Sequence, residues 1–148
     1  MGKDLFLKRF HPQRLFQLQE KVLPKKVLLS WSGGKDCALA LYEYEKTGSC
    51  DIAALLTTIT EDYDRVSLHG VRRVLLEEQA RSLDIPLEMV FITKNTANEE
   101  YESKMRAVLE RYRIDGVTSV VFGDLFLEEV RRYREENLAK IGMKGIFP

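Results

Sequence analysis

From residue 27 onward the chain alternates short apolar runs with longer amphipathic stretches. Val27-Leu28-Leu29-Ser30-Trp31 is a strand-sized apolar run halted by Ser32-Gly33-Gly34, as expected of a buried strand ending in a turn. Residues 36–46 then favour a helix, with Asp36 at its start and Gly48 beyond its end. Residues 52–59 form a second apolar run, too short and too β-branched for a helix. Over residues 71–83 one side collects Val71, Leu75, Leu76, Ala80 and Leu83, and the other Arg72, Arg73, Glu77, Glu78 and Arg81, which predicts an amphipathic helix. Pro86 follows, and residues 87–92 read as a third strand. Thr96-x-x-Glu99 matches a capping box, and Tyr101, Met105, Val108, Leu109 and Tyr112 recur behind it at helical spacing. Asp115-Gly116 ends that helix. Residues 117–122 supply a fourth strand ending at Gly123-Asp124, and residues 126–141 a charged helix stopped by Gly142.

Strands alternating with helices predict an α/β fold, because each crossover helix must bury its apolar stripe against a parallel sheet. The expectation is a three-layer α/β/α domain with a parallel sheet of four to five strands, binding its ligand beyond the carboxyl ends of those strands. There is no internal repeat and no low-complexity tract. A length of 148 residues, 45% of them hydrophobic, suits one domain with a sizeable core. No apolar run approaches the roughly 20 residues that span a bilayer, so no membrane association is expected. Cys37 and Cys50 are too few for a disulfide scaffold and lack zinc-ligand spacing, which points to a reducing, cytoplasmic setting. The formal net charge is zero, so no global field attracts nucleic acid, and none is expected as a partner. Charge is nevertheless uneven. Residues 1–26 carry seven bases against two acids, a net +5. Apolar residues interleave with those bases, so the segment reads either as an amphipathic arm or as a helix packed on the domain. It lacks the uninterrupted apolar stretch of a secretory signal. The chain thus divides into an arm over 1–26 and a domain over 27–148.

The most informative residues follow the first strand: Ser32-Gly33-Gly34-Lys35-Asp36. Two adjacent glycines are expected to allow positive φ and close approach of a ligand. Their N–H groups, with those of the helix that follows, make an anion cradle. Ser32 adds a hydroxyl and Lys35 a cation. Asp36 suits a helix start, and beside phosphates it is tolerable if it meets a cation such as Mg²⁺. The loop is not a Walker A motif, which needs glycine where Leu29 stands and Ser or Thr where Asp36 stands.

The loop resembles the SGGxDS loop of the PP-loop ATP pyrophosphatase superfamily, with Cys37 in place of the usual serine. Further residues extend the resemblance to the diphthine–ammonia ligase branch. They are Leu55-Leu56-Thr57-Thr58 with Thr60-Glu61, His69-Gly70-Val71, Gln79-Ala80, Ile85-Pro86-Leu87, and Phe122-Gly123-Asp124 with Arg131, Glu135 and Asn137. The resemblance implies a HUP-type fold that binds ATP and Mg²⁺. It also implies carboxylate activation as an adenylate, pyrophosphate release and amidation by ammonia, on an acceptor the sequence does not identify. Ser30, Trp31, Ser32, Gly33, Gly34, Lys35, Asp36, Cys37, Thr57, Thr58 and Gly123 are then the nucleotide-binding candidates. Lys35, Asp36 and Asp124 are the catalytic candidates, His69 and Gly70 the substrate-side ones, and Asp36 the metal-side one. Each has a bland alternative: Thr57 and Thr58 as strand residues, Asp124 as a helix cap, and the Glu61, Asp62 and Asp64 cluster as a solvated loop. Of the run from Arg131 to Glu136, one arginine is expected at the ligand edge. Relatives continue past this chain's last residues into a fifth strand and a second, acceptor-binding lobe. The resemblance therefore leaves room for a nucleotide-binding module without turnover, and for oligomerisation over an uncovered sheet edge. A third reading, tRNA thiolation through a reactive cysteine, rests on Cys37 in the first turn of a helix.

Overall fold

The computed structural model describes residues 25–48, 50–123 and 128–148. The arm expected over 1–26 therefore lies outside the described residues save for Lys25 and Lys26, and so does Asp124. Strand β1 (Lys25–Ser30) leads through the glycine loop into helix α1 (Lys35–Glu45), and strand β2 (Cys50–Thr60) follows. A two-residue strand, β3 (Arg65–Val66), precedes helix α2 (Arg73–Leu83). Then come β4 (Leu87–Ile92), α3 (Asn98–Ile114), β5 (Val117–Val121), α4 (Glu128–Ala139) and β6 (Lys144–Ile146).

β2 pairs in parallel with β1 along one edge and with β4 along the other. β5 pairs in parallel with β1, and β6 with β5. The parallel order is thus β4-β2-β1-β5-β6. β3 runs antiparallel against Ile59 and Thr60, residues whose other edge β4 occupies, so β3 lies on the β1 side, beyond the end of β1. One expectation changes here: the sheet is mixed, because β3 runs antiparallel. The five parallel strands, completed by β6 on β5, fall within the four to five expected.

The period-two alternation of strand side chains divides the core into two layers. Val27, Leu29, Leu55, Ile59 and Val121 face α1 and α2, where they meet Cys37, Ala40, Leu41, Tyr44, Leu76 and Ala80. The intervening Leu28, Ala54, Leu56 and Val120 face the other way, with Leu109 of α3 and Leu138 of α4. Helices therefore cover both faces, and the fold is a three-layer α/β/α sandwich. Among the described residues no helix is long and apolar enough to cross a membrane.

Three local expectations fail for physical reasons. The α2 stripe is narrower than its pattern: Leu76 and Ala80 are buried, while Leu75 and Leu83 are exposed. Leu76 and Ala80, one turn apart, suffice to seat the helix on the strands. The capping box at Thr96 does not form. Ala97 is the N-cap, without a side-chain cap bond, because the Thr96 hydroxyl instead accepts the Thr93 N–H at 2.8 Å. Asp36 likewise does not cap α1: it lies in the first turn, and Gly34 is the N-cap.

Candidate functional site

The strand order reverses between β1 and β5, because the chain builds β1, β2 and β4 to one side and then crosses to the other. A crevice opens beyond the carboxyl ends of strands at such a point. Here it is flanked by the Ser30–Gly34 turn and by Phe122-Gly123. The two sides are locked together. A Cβ on Gly123 would stand 2.6 Å from the Asp36 carbonyl oxygen and 2.9 Å from the Cys37 nitrogen, so the end of β5 packs directly on the first turn of α1.

The expectation that both loop glycines adopt positive φ holds only for Gly33, at φ +83. A Cβ there would also press on Gln79, Leu76 and Val71 at 3.1 to 3.4 Å. Gly34 is extended, with φ −94 and ψ 179, and a Cβ on it would touch only the Ser32 hydroxyl, at 3.7 Å. Its lack of a side chain leaves the helix N-terminus uncovered. α1 has no side-chain cap bond. Among the described residues no hydrogen bond uses the N–H of Gly33, Gly34, Lys35 or Asp36. Unsatisfied first-turn donors on the positive end of a helix form an anion site, and Lys35 and Asp36 stand exposed beside it.

Next to this N-terminus lies a cavity of about 470 Å³, within the roughly 300–1,000 Å³ usual for small-molecule sites. Ser30, Trp31, Ser32, Thr57, Thr58 and His69 line it together. Thr57 is buried, and its hydroxyl has no hydrogen-bond partner among the described residues. An unpartnered buried hydroxyl at a cavity wall is costly unless a ligand completes it. Gly70, by contrast, is not among the lining residues; its carbonyl accepts Arg65 Nη1 at 2.8 Å. The hairpin carrying His69 hangs on β2, where the Ser67 N–H donates to the Thr58 carbonyl at 2.9 Å. Leu68 at its tip is fully exposed with φ 70.

The far wall comes from α3 and α4, and periodicity alone did not point to it. Tyr101, Glu102, Met105 and Arg106 line the cavity from α3, and Tyr133, Arg134 and Asn137 from α4. The Tyr133 hydroxyl donates to Glu102 at 2.5 Å, a tie that together with burial raises the phenol above its ordinary pKa. Of the arginines in the last helix, Arg134 is the one at the cavity, its guanidinium 4.5 Å from the Phe122 ring centroid. Arg131 instead covers Phe147 and pairs with Glu135. In the acidic loop Asp62 accepts the Lys94 N–H and Asp64 pairs with Arg73. Among the described residues no three His, Cys, Asp or Glu side chains are grouped to hold a metal.

Two side chains of the loop turn inward. Trp31 is buried, and Cys37 is buried with its thiol donating to the Gly34 carbonyl at 3.1 Å. A sulfur-carrying cysteine needs an accessible thiolate, so this placement speaks against the thiolation reading.

Residues 25–145 match the diphthamide synthase N-terminal domain family. The chain belongs to that family. It is therefore a PP-loop ATP-binding domain of the ATP pyrophosphatase class. PP-loop enzymes of this class use ATP, typically with Mg²⁺. Comparison with curated proteins gave no match. The geometry of the glycine loop suits a polyphosphate on two counts, the open α1 N-terminus and the unencumbered Gly34. The unpartnered Thr57 hydroxyl offers a separate polar contact on the cavity wall.

Proposed function

We propose that residues 27–148 form an ATP-binding unit that activates a carboxylate for amide formation. A carboxylate oxygen of the acceptor attacks the α-phosphorus of ATP, pyrophosphate leaves, and ammonia then displaces AMP with loss of a proton. Such chemistry needs no nucleophilic side chain; it needs positioning and neutralisation of departing charge. The N–H groups of Gly33, Gly34, Lys35 and Asp36 suit the polyphosphate, with the Ser32 hydroxyl and Lys35 beside them. Thr57 and Thr58 suit the nucleoside, and His69 the acceptor side. Asp36 is the carboxylate available to Mg²⁺, which when bound would neutralise phosphate charge.

The observation that carries this reading is the uncapped start of α1, whose first N–H groups are unbonded among the described residues, opening beside a nucleotide-sized cavity at the reversal of the sheet. Calorimetric titration of ATP–Mg²⁺ and AMP into the chain tests it, alongside Asp36→Ala and Gly34→Val. Saturable binding that both variants weaken by about tenfold or more is the expected result. No binding to the folded wild-type chain at millimolar nucleotide would sink the reading. For the reaction itself, phosphorus NMR should record AMP and pyrophosphate when ammonium and carboxylates are added. Binding without AMP under any acceptor would leave a nucleotide-binding module and remove the ligase assignment.

A further inference from the structure

Gln79 of α2 reaches across the packed layer to the back of the glycine loop. Its Oε1 accepts Trp31 Nε1–H at 2.8 Å, and its Nε2 donates to the Gly33 carbonyl at 3.2 Å. The orientation of the amide is fixed by its partners, since an indole N–H only donates and a carbonyl only accepts. Trp31 is itself buried in the core. Gly33 is wedged on the same side, for a Cβ on it would stand 3.1 Å from Gln79 Oε1 and 3.2 Å from Leu76 Cδ2. Among the described residues no peptide is cis, and in a trans peptide the carbonyl and the following N–H point in opposite directions. With the Gly33 carbonyl drawn back onto α2, the Gly34 N–H is turned away from α2, at the exposed start of α1.

We propose that Gln79 is a positioning residue for phosphate recognition. Anchored by Trp31, it fixes the plane of the Gly33–Gly34 peptide so that an N–H, and not a carbonyl oxygen, meets the polyphosphate. A Gly-Gly peptide has little steric reason to hold one orientation. Flipped, it would set a carbonyl oxygen against an anion. Holding the donor in place before binding removes an ordering cost that the ligand would otherwise bear. The proposal rests on the ATP-site reading above.

The test compares ATP–Mg²⁺, inorganic pyrophosphate and AMP binding to the full chain with binding to Gln79→Leu, Gln79→Glu and Trp31→Phe. Gln79→Leu should weaken ATP and pyrophosphate roughly tenfold, the scale of one oriented hydrogen bond, and leave AMP affinity nearly unchanged. Gln79→Glu keeps the acceptor for Trp31 but sets a carboxylate against the Gly33 carbonyl, so its loss should be larger. Trp31→Phe keeps the bond to Gly33 and should show a smaller one, which preserves the test if a Gln79 variant folds poorly. A purely structural role would not shift the Gly34 amide resonance selectively, as this proposal requires of Gln79→Leu before any ligand is added. Equal loss of ATP and AMP, or an unaltered ratio between them, overturns the role of Gln79 alone. Absence of nucleotide binding to the wild-type chain overturns the ATP-site reading and this proposal with it.

Discussion

Gly123 and Gly34 are both glycines at the ligand edge, yet they are required for different reasons. A Cβ at Gly123 would meet backbone atoms of Asp36 and Cys37 at 2.6 to 2.9 Å, and backbone cannot rotate aside. Gly123→Ala is expected to force β5 and α1 apart and to cost about 1–3 kcal/mol of stability, measured by urea unfolding. At Gly34 the extended backbone accepts any residue, and only the Ser32 hydroxyl, 3.7 Å away, is near. Gly34→Ala should therefore fold like wild type and lose ATP affinity alone. If both variants lose stability equally, the assignment of Gly34 to the ligand and Gly123 to packing fails. Thr57 gives a third contrast. Its hydroxyl is buried without a partner, so Thr57→Val should raise the stability of the nucleotide-free chain by about 1 kcal/mol. The same substitution should shrink the rise in melting temperature that ATP produces. A variant that is less stable without ATP would show that the hydroxyl is already satisfied.

At the scale of elements, the start of α2 is pinned to the turn before β3 by Arg73, which bonds both oxygens of Asp64 and also pairs with Glu77. The hydrogen bond from Arg73 holds the Asp64 carboxyl below its ordinary value of 3.8. A lowered folded pKa means that the pair stabilises the fold fully above that ordinary value and ceases to as the pH falls through the lower one. Asp64→Asn should melt slightly below wild type at neutral pH, with the gap closing under acid. A gap that persists at low pH would assign the effect to something other than charge. This tie links residues nine apart and has no periodic signature, so hydrophobic pattern could not disclose it. The same limit explains the α2 stripe. Leu75 and Leu76 look alike in sequence, but only Leu76 points between the strands. Leu76→Ala should thus cost about 2–5 kcal/mol, and Leu75→Ala far less. The glycine loop was legible because the chemistry of Ser32-Gly33-Gly34-Lys35-Asp36 is local. Its buttress at Gln79, 46 residues from Gly33, was visible only as a motif without a role.

Across the whole molecule, the alternation of apolar runs and amphipathic stretches was enough to read four βα units and a layered fold. It did not reveal β6, whose three residues include a glycine and carry no period. Nor did it reveal the α3–α4 wall, because residues such as Glu102, Arg106 and Tyr133 would serve equally on a solvent face. Those two omissions meet at one place. The Phe122 N–H donates to the Ile146 carbonyl at 2.8 Å, and Phe147, just past β6, stacks on Phe122 with ring centroids 5.4 Å apart. Arg131 covers the outer ring and Arg134 the inner one. Phe122 lines the cavity, so the last strand braces a wall of the site from behind. Phe147→Ala should remove that brace at a cost of about 1–3 kcal/mol, combining lost burial with the loss of an aromatic pair. If Phe122 shapes the nucleotide cavity, ATP and AMP affinity should fall together, since the glycine loop itself is untouched. That signature is the opposite of the one expected at Gln79, where the two ligands part company. A Phe147→Ala chain with lowered stability and unchanged affinity for both nucleotides would confine β6 to holding the fold.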